Sequence, residues 1–269
     1  MKELPPLIKW SGSKRTQAKE IVVYFPKKIR NYFEPFLGGG SILGFFTPQK
    51  AICGDICHPL IELWKLTQTN PSVVAKEYKK RWVQLQDRGY LYYYEVRASF
   101  NKKKSPHDLL FLSRTCVNGL IRFNKNGEFN NSFHHSRKGI KPSSFGEIIY
   151  LWSKIIKIYS FLSTDYIELT KNAKKEDFIY LDPPYFNTKG RYFGGIDFNV
   201  FTDYLNDLNK RRIKFALSFD GLRGKKSFLV EIPKNIYKRH LLIHSGNASF
   251  NKVQNKKIES VYESLYLNY

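Results

Sequence analysis

Short apolar segments that end in a polar residue alternate with helix-like segments along most of this chain. The apolar segments at residues 31–36, 50–55, 177–182, 214–218 and 260–267 have the length and composition of β-strands. Residues 16–24 and 41–46 are spaced as in helices. Strands that alternate with helices are typical of a parallel sheet covered on both faces. We therefore predict an α/β protein with a doubly wound, mostly parallel sheet.

The pattern changes between residues 59 and 145. This stretch is rich in aromatic and basic residues, and its first part has helical periodicity. In its later part the pair Asn126-Gly127 lies between Phe123 and Phe129, which indicates a β-hairpin. We predict a sheet domain of residues 1–58 and 146–269 that carries an inserted domain of residues 59–145, built from helices and a hairpin.

The charge balance indicates an anionic partner. The chain has 45 Lys and Arg against 23 Asp and Glu, which gives a formal net charge of +22. Its 42% hydrophobic and 16% aromatic residues are enough to form a core, which excludes general disorder. Such an excess of positive charge is typical of nucleic-acid-binding proteins, and the alternative is a basic protein without such a partner.

The sequence has no features of a secreted, membrane-spanning, disulfide-rich or zinc-binding protein. The first residues lack the apolar stretch of a secretory signal, and no apolar run has the length of a membrane span. The chain has 3 cysteines, a sparse and odd set that predicts a reducing cytoplasm rather than a disulfide scaffold. Cys53, Cys57 and His58 lie close together, but no second pair at ligand spacing completes a zinc site, so we predict no metal.

The first candidate site is the glycine turn at residues 38–40, between a predicted strand and a predicted helix. Glycines allow a sharp turn and the close approach of a ligand, which the amides of the helix would then face. Asp55, at the end of the next strand, can accept hydrogen bonds from ribose hydroxyls. The pair favours a nucleoside-bearing cofactor over an ordinary turn. The spacing is not the dinucleotide fingerprint, because Leu43 occupies its last small-residue position.

The second candidate site is the tetrapeptide Asp182-Pro183-Pro184-Tyr185, directly after an apolar strand. Two prolines stiffen the turn at the strand end where ligands bind in open α/β sheets. The Asp182 carboxylate and a proline carbonyl can accept two hydrogen bonds from one amino group, and the tyrosine ring can stack on a planar heterocycle. The alternative, a rigid surface turn, is less consistent with this position at a strand end.

Several blocks of the chain together resemble the D12 class of DNA adenine-N6 methyltransferases, the family of Dam and EcoRV-type modification methylases. They follow the family's order through essentially the whole chain: residues 9–15 resemble K-W-x-G-x-K, residues 34–41 E-P-F-x-G-x-G-S, residues 54–56 the acidic second motif, residues 114–124 and 127–130 the recognition hairpin, residues 182–185 D-P-P-Y, and residues 263–269 E-x-L-x-x-N-Y. Several blocks in one order form a specific signal, unlike any single block.

The resemblance implies a Rossmann-like methyltransferase fold, S-adenosylmethionine as cofactor and double-stranded DNA as substrate. The implied cofactor residues are Trp10, Lys14, Phe36, Gly38, Gly40, Asp55, Asp165, Tyr166 and Asp182. The implied catalytic residues are Asp182, Pro183, Pro184 and Tyr185, and those that bind DNA are Lys9, Arg114, Asn118, Leu120, Arg122 and Asn124. Lys9 and Arg122 are candidates for guanine contacts, with phosphate contacts as the alternative.

The implied reaction transfers a methyl group to N6 of an adenine that is flipped out of the duplex. This nitrogen is a poor nucleophile because its lone pair is delocalised into the ring. Asp182 and a proline carbonyl would accept its protons and stabilise the positive charge that develops, while Tyr185 would stack on the base. The reaction needs no metal and no covalent enzyme intermediate.

Two positions depart from the family pattern. Ser13 stands where glycine is common, and Ser132 stands where Dam-like hairpins often have proline. A target that contains GAT is the expectation for a Dam-like hairpin. The alternatives are a DNA-binding module without catalysis and a methyltransferase for RNA or protein glutamine, but Asp rather than Asn at position 182 favours DNA adenine. We expect a monomeric, cytoplasmic protein of bacterial or phage origin, with a cognate restriction endonuclease as a candidate functional partner.

Overall fold

The computed structural model describes residues 3–136, 138–184, 196–223, 226–227, 232–247 and 260–269. The strands in these ranges are β1 (Tyr32–Glu34), β2 (Ala51–Asp55), β3 (Ser160–Ser163), β4 (Phe178–Leu181), β5 (Lys214–Arg223), β6 (Lys226–Ser227), β7 (Arg239–Asn247) and β8 (Ser260–Leu267). The helices are α1 (Ala18–Ile21), α2 (His58–Thr69), α3 (Pro71–Arg88), α4 (Tyr90–Lys103), α5 (Pro106–Thr115), α6 (Pro142–Ile155), α7 (Tyr166–Thr170) and α8 (Phe198–Lys210), with 3-10 turns at Val22–Tyr24 and Val117–Gly119. Within these ranges, no helix combines the length and the apolar character that a membrane crossing requires.

The strands form one sheet in the order β3-β2-β1-β4-β5-β8-β7, and β6 pairs with the end of β5. Strands β1 to β5 run parallel to one another, whereas β8 runs antiparallel to both β5 and β7. The strand order reverses between β1 and β4, because β2 and β3 lie on one side of this pair and β5 lies on the other. The prediction of a doubly wound, mostly parallel sheet is confirmed, and the reversal marks the place where such sheets bind ligands.

Strand β4 is apolar throughout because both of its faces are covered. Its four residues are all buried, and successive side chains point to opposite faces. Ile179 and Leu181 pack with Phe201 and Leu205 of α8. Phe178 and Tyr180 belong to the larger cluster on the other face.

Helices α2 to α6 and the hairpin after α5 continue that larger cluster away from the sheet. The predicted hairpin is present: an antiparallel bridge joins Phe123 to Phe129 and another joins Cys116 to Phe133. The rings of Phe123 and Phe129 pack against Phe100 of α4, with centroids 6.4 and 6.2 Å from its ring. Because one apolar core spans the sheet and these helices, the division into residues 1–58 with 146–269 and an insert of 59–145 stays a prediction.

The prediction of a helix at residues 41–46 was wrong. This segment forms tight turns in which the amides of Phe45 and Phe46 both donate to the carbonyl of Ile42. Gly44 weakens a helix in so short a segment, and Pro48 disfavours helical geometry at the residue before it. The amides that the glycine turn offers therefore do not belong to a helix N-terminus. Strands β3, β6 and β7 are additions that the sequence pattern did not reveal.

Candidate functional site

A cleft opens at the carboxyl ends of β1 to β4, where the strand order reverses. Its empty volume, including the open mouth, is about 1090 Å³. Its lining includes every cofactor residue predicted from the sequence except Gly40, together with two further residues predicted to be catalytic: Trp10, Lys14, Phe36, Gly38, Asp55, Asp165, Tyr166, Asp182, Pro183 and Pro184. Segments distant in sequence thus meet at one cavity.

The glycine turn forms one wall of this cleft. Gly38 has φ +49° and Gly40 has φ +63°, the left-handed region that favours glycine. A Cβ on Gly38 would lie 2.7 Å from Cδ1 of Trp10, and one on Gly40 would lie 2.9 Å from Cζ2 of Trp64. Trp64 also donates its indole N–H to the Gly38 carbonyl at 3.2 Å. The turn therefore depends on glycine for both its conformation and its packing.

Asp55 ends β2 and faces the same cleft. Its Oδ2 accepts a hydrogen bond from the Gly38 amide at 3.1 Å, and its Oδ1 accepts one from the Cys57 amide at 2.9 Å. Burial raises the pKa of Asp55 to about 6, and these amide bonds oppose the rise. A carboxylate has about four acceptor positions, so it can still accept bonds from a ligand.

An aromatic and apolar surface lies beside Asp55. The rings of Phe36 and Tyr166 are stacked with centroids 5.5 Å apart and planes at 30°. Ile56, which is 45% exposed, also lines the cleft. Asp165 caps α7 by accepting bonds from the amides of Ile167 and Glu168. Such a surface suits a planar heterocycle next to a carboxylate.

Asp182 lies directly after β4 and pairs with a buried lysine. The Lys14 Nζ is 2.8 Å from Oδ1 of Asp182, and the two side chains are 4% and 19% exposed. Lys14 also lies 3.3 Å from Oε2 of Glu263 on β8. Burial raises the pKa of Asp182 to about 6; the charge of Lys14 opposes the rise and that of Glu263 adds to it. The carboxyl group is thus poised to change its protonation near neutral pH.

Glu34 is a second buried acid in the cleft. Tyr32 donates its hydroxyl to Oε2 of Glu34 at 2.9 Å. Burial raises the pKa of Glu34 to about 8, and the nearby Asp182 adds to the rise. Glu34 and Glu263 were quoted within sequence blocks but not predicted as site residues. The signal for Glu34 was its place at a strand end, the same feature that identified Asp55.

The hairpin is attached to the rim of the cleft. Ser11, which lines the cleft, donates its hydroxyl to the Ile121 carbonyl at 2.7 Å. The side chain of Lys9 packs against Gly119. Arg122 and Asn118 are exposed on this hairpin, and Leu120 is half-buried. These four predicted DNA-binding residues therefore form one surface beside the cleft.

The structure places two other predicted DNA-binding residues in structural roles. Arg114 is 5% exposed, its guanidinium donates to the carbonyls of Pro6 and Leu7, and it packs over the Phe145 ring. Arg114 thus anchors the N-terminal segment through its Nε and Nη2, and its role in DNA binding stays a prediction.

The side chain of Asn124 stabilises the hairpin turn. Its Oδ1 accepts bonds from the amides of Asn126 and Glu128, and its amide donates to the Glu128 carboxylate at 2.9 Å. Asn124 therefore has a structural role in the turn, and its role in DNA binding stays a prediction. Tyr185, predicted to be catalytic, lies outside the described residues.

The described residues contain neither a cluster of metal ligands nor a disulfide bond. Over the described ranges, no group of three or more His, Cys, Asp or Glu could hold a metal ion. Cys53, Cys57 and Cys116 are free and buried. The described cleft thus offers carboxylates, a lysine, aromatic rings and glycine amides as its chemistry.

The fold and the cleft together define a doubly wound α/β protein with a ligand-sized cleft where the strand order reverses. The family model for the D12 class N6 adenine-specific DNA methyltransferases matches residues 10–261. The chain belongs to this family. It is an adenine-specific DNA methyltransferase, and the family and fold imply S-adenosylmethionine as the methyl donor and DNA as the substrate.

Individual relatives agree with this assignment. The type II methyltransferase M.MjaIII of Methanocaldococcus jannaschii is 29% identical to this chain. The alignment has 300 positions, gaps included, and it covers 99% of this chain and 100% of that protein. The DNA adenine methylase of Vibrio cholerae is 30% identical over 69% of this chain and 66% of its own length. The modification methylase StsI of Streptococcus sanguinis is 27% identical over 97% of this chain but 42% of its own length.

Proposed function

We propose that the cleft binds S-adenosylmethionine and that Asp182 and a neighbouring proline carbonyl hold the exocyclic amine of a flipped-out adenine in duplex DNA. The observation that carries this proposal is the shared cavity. Asp182, at the end of β4, lines the same cleft as the glycine turn and Asp55. A methyl donor and an acceptor amine must meet within bonding distance, so one cavity for both is the first requirement.

The cleft fits an adenosine that carries a charged amino-acid end. We assign Asp55 to the ribose hydroxyls, because a carboxylate at the end of the second strand accepts such bonds in doubly wound folds. The stacked rings of Phe36 and Tyr166 provide a flat apolar surface for the adenine of the cofactor. Trp10 lies against the glycine turn and Lys14 lines the cleft beside Asp182, and both are assigned to the methionine end.

The chain's own residues account for the activation of the amine. S-adenosylmethionine supplies a methyl group on a positively charged sulfur. The Asp182 carboxylate and a proline carbonyl, from Pro183 or Pro184, accept hydrogen bonds from the two amine protons, which draws the nitrogen lone pair out of the ring. As the new C–N bond would form, the bond between the methyl carbon and sulfur would break and its electron pair would stay on sulfur. The Asp182 carboxylate would stabilise the positive charge that develops on the nitrogen and would receive the departing proton. The assignment of Tyr185 as the residue that stacks on the base stays a prediction.

The hairpin is proposed as the surface that reads the DNA. It is attached to the cleft rim through Ser11 and Ile121, and it exposes Arg122 and Asn118. Arg122 and Lys9 have side chains that suit the O6 and N7 edge of guanine. The net charge of +22 favours contact with the phosphate backbone around this surface.

We further propose that the chain acts as a monomer, because one chain supplies the cofactor and amine-binding groups of the cleft. The names of the type II relatives favour a cognate restriction endonuclease as a functional partner. A cytoplasmic location fits both the DNA substrate and the three free cysteines.

The test is methyl transfer by the variant Asp182→Ala. We expect labelled methyl incorporation into duplex DNA to fall at least ~10²-fold, the usual cost of losing a preorganised acceptor. Binding of S-adenosylmethionine, measured by calorimetry, should be retained at least in part. Asp207→Asn is the control, because Asp207 is an exposed acid that pairs only with Arg211 among the described residues. Wild-type turnover in Asp182→Ala contradicts the proposal.

Parallel assays with tRNA and protein substrates distinguish the remaining classes of methyltransferase. We expect the wild-type enzyme to label duplex DNA alone, and nucleoside analysis of the product to give N6-methyladenine. Label in tRNA or in protein glutamine instead of DNA contradicts the proposed substrate. Sequencing of the modified adenines then gives the target site.

A further inference from the structure

Lys14 connects two acids that come from distant parts of the chain. Its Nζ lies 2.8 Å from Oδ1 of Asp182, at the end of β4, and 3.3 Å from Oε2 of Glu263, on β8. The Gly12 carbonyl is a further acceptor at 3.4 Å. The ammonium is almost fully buried, so the loss of either acid would leave a charge poorly compensated in the interior.

The Asp182 carboxylate faces a conflict if it is to bind an adenine amine. One of its two oxygens is in contact with Lys14, the stronger cationic donor. A carboxylate held in this pair is a weaker acceptor for a neutral amine, because its charge is already compensated. Loosening of the contact with Lys14 strengthens Asp182 as an acceptor for the amine, and another anion can then stabilise the lysine.

Glu263 is placed to be that anion. Its Oε2 is buried and makes no hydrogen bond within the described part of the chain, although the Lys14 ammonium is only 3.3 Å away. A small rotation of the lysine toward Glu263 converts this contact into a full charge-assisted hydrogen bond.

The pairing of β8 with β5 is irregular at Glu263. The register between β5 and β8 shifts between Phe219 and Gly221, which pair with Ser264 and Glu263. Shifts of this kind re-aim side chains next to active sites.

We propose that Glu263 is a positioning residue for methyl transfer, which takes over the Lys14 ammonium when the Asp182 carboxylate turns to the adenine amine. This inference rests on the proposed function of the cleft. Asp182 and Lys14 touch substrate or cofactor in that proposal, whereas Glu263 acts through Lys14. Without the Glu263 charge, Lys14 stays bound to Asp182 and competes with the amine.

The first experiment needs neither DNA nor cofactor. The charged and titratable groups that face Asp182 in the described structure are Lys14, Glu263, Glu34 and Tyr180. Since the negative charge of Glu263 raises the pKa of Asp182, the variant Glu263→Gln should lower that pKa below the value of about 6. Carboxyl ¹³C NMR of the free enzyme measures it. An unchanged Asp182 pKa overturns the inference.

The second experiment is single-turnover methylation of duplex DNA as a function of pH. For Glu263→Gln we expect the plateau rate to fall about tenfold or more and the acid limb to move to lower pH, with the KM for S-adenosylmethionine changed less than about threefold. Glu263→Asp keeps the charge and should recover part of the rate. It also serves as the test protein if Glu263→Gln does not fold.

Ser264→Ala is the matched control on the same strand. Ser264 is buried and its hydroxyl contacts His240 Nε2 at 3.0 Å, so this variant disturbs β8 without removing a charge. An equal rate loss in Ser264→Ala and Glu263→Gln, or an unchanged plateau in Glu263→Gln, overturns the inference. Failure of the wild-type enzyme to methylate DNA contradicts the proposed function instead, and the NMR titration still tests the coupling.

Discussion

The side chain of Lys9 lies directly against the α-carbon of Gly119. A Cβ on this glycine would be 2.4 Å from Cδ and 3.0 Å from Cβ of Lys9, and the glycine has φ +64°. The N-terminal block and the hairpin are therefore packed as one unit, which the bond from Ser11 to the Ile121 carbonyl reinforces. This unit sets the distance between the proposed DNA-reading surface and the cleft.

The variant Gly119→Ala should weaken both DNA binding and the fold. The added methyl group displaces Lys9, and the left-handed backbone costs about 1–2 kcal/mol of folding stability. We expect the affinity for a methylatable duplex, measured by fluorescence anisotropy, to fall about tenfold or more.

Gly146→Ala is the control for Gly119→Ala. Gly146 lies in α6 and has no atom within 4 Å of an added Cβ, so this change should leave DNA binding unaltered and raise stability by up to about 1 kcal/mol. If Gly119→Ala binds the duplex as tightly as Gly146→Ala, the hairpin does not depend on this contact.

The variant Gly38→Ala tests the glycine wall of the cleft. An alanine methyl group would meet Trp10 at 2.7 Å and would also adopt φ +49°. Since Trp10 and Gly38 both line the cleft, we expect the affinity for S-adenosylmethionine to fall at least tenfold by calorimetry, on the order of 1.4 kcal/mol or more.

Gly89→Ala separates the two causes of that loss. Gly89 has φ +59° but no atom within 4 Å of an added Cβ, so it carries backbone strain without a clash. We expect this control to lose about 1–3 kcal/mol of stability and to bind the cofactor normally. Equal cofactor affinity in both variants argues against a role for the glycine turn in the site.

Arg122 tests base reading by the hairpin. It is exposed near the bridge from Phe123 to Phe129. If it contacts a guanine edge, Arg122→Ala should cost about 1–3 kcal/mol at the cognate site and relax the preference at one base position. Lys125→Ala, at the exposed turn of the same hairpin, should instead weaken binding to all sequences equally. A uniform loss in both variants identifies Arg122 as a phosphate contact.

The raised pKa of Glu34 should make the free energy of unfolding depend on pH. Burial raises its pKa from 4.5 to about 8, so between these values the folded protein holds a proton that the unfolded chain has released. Stability then falls as the pH rises through this window, because the unfolded state binds fewer protons. The variant Glu34→Gln cannot lose that proton.

Urea unfolding of both proteins checks this expectation. Relative to wild type, Glu34→Gln should gain about 2 kcal/mol between about pH 6 and about pH 9. The difference in stability between the two proteins removes the contributions of the other titrating groups. Among these groups, Asp182 interacts with the charge of Glu34. A stability difference that does not change with pH contradicts a raised Glu34 pKa.

The parallel sheet was predictable because its central strands carry a simple signal. Residues 177–182 are apolar up to a terminal acid, and the structure gives β4 at Phe178–Leu181 with every residue buried. Strand β3 gave no such signal, since it lies at the edge of the described sheet and only Phe161 of its four residues is buried. The apolar pattern therefore identifies strands that are buried on both faces, and it misses a strand that is mostly exposed.

The meeting of Asp55 and Asp182 at one cleft was likewise predictable, because parallel strands bring their carboxyl ends to one edge. The contact between Lys14 and Glu263 was not, because it depends on where the antiparallel strand β8 enters the sheet. Residue type also failed to separate the roles of two arginines within residues 114–124. Arg114 and Arg122 carry the same chemistry, but one is buried against backbone carbonyls and the other is exposed.

The position of Lys14 between Asp182 and Glu263 has a consequence for synthesis of the protein. The lysine is made early, the aspartate follows much later, and the glutamate belongs to β8, the last strand of the described sheet. A nascent polypeptide still on the ribosome can therefore form the pair between Lys14 and Asp182 before β8 has emerged, whereas the contact with Glu263 forms only once β8 has inserted between β5 and β7. The contact between Lys14 and Glu263 is thus completed only after the parallel part of the sheet has been synthesised.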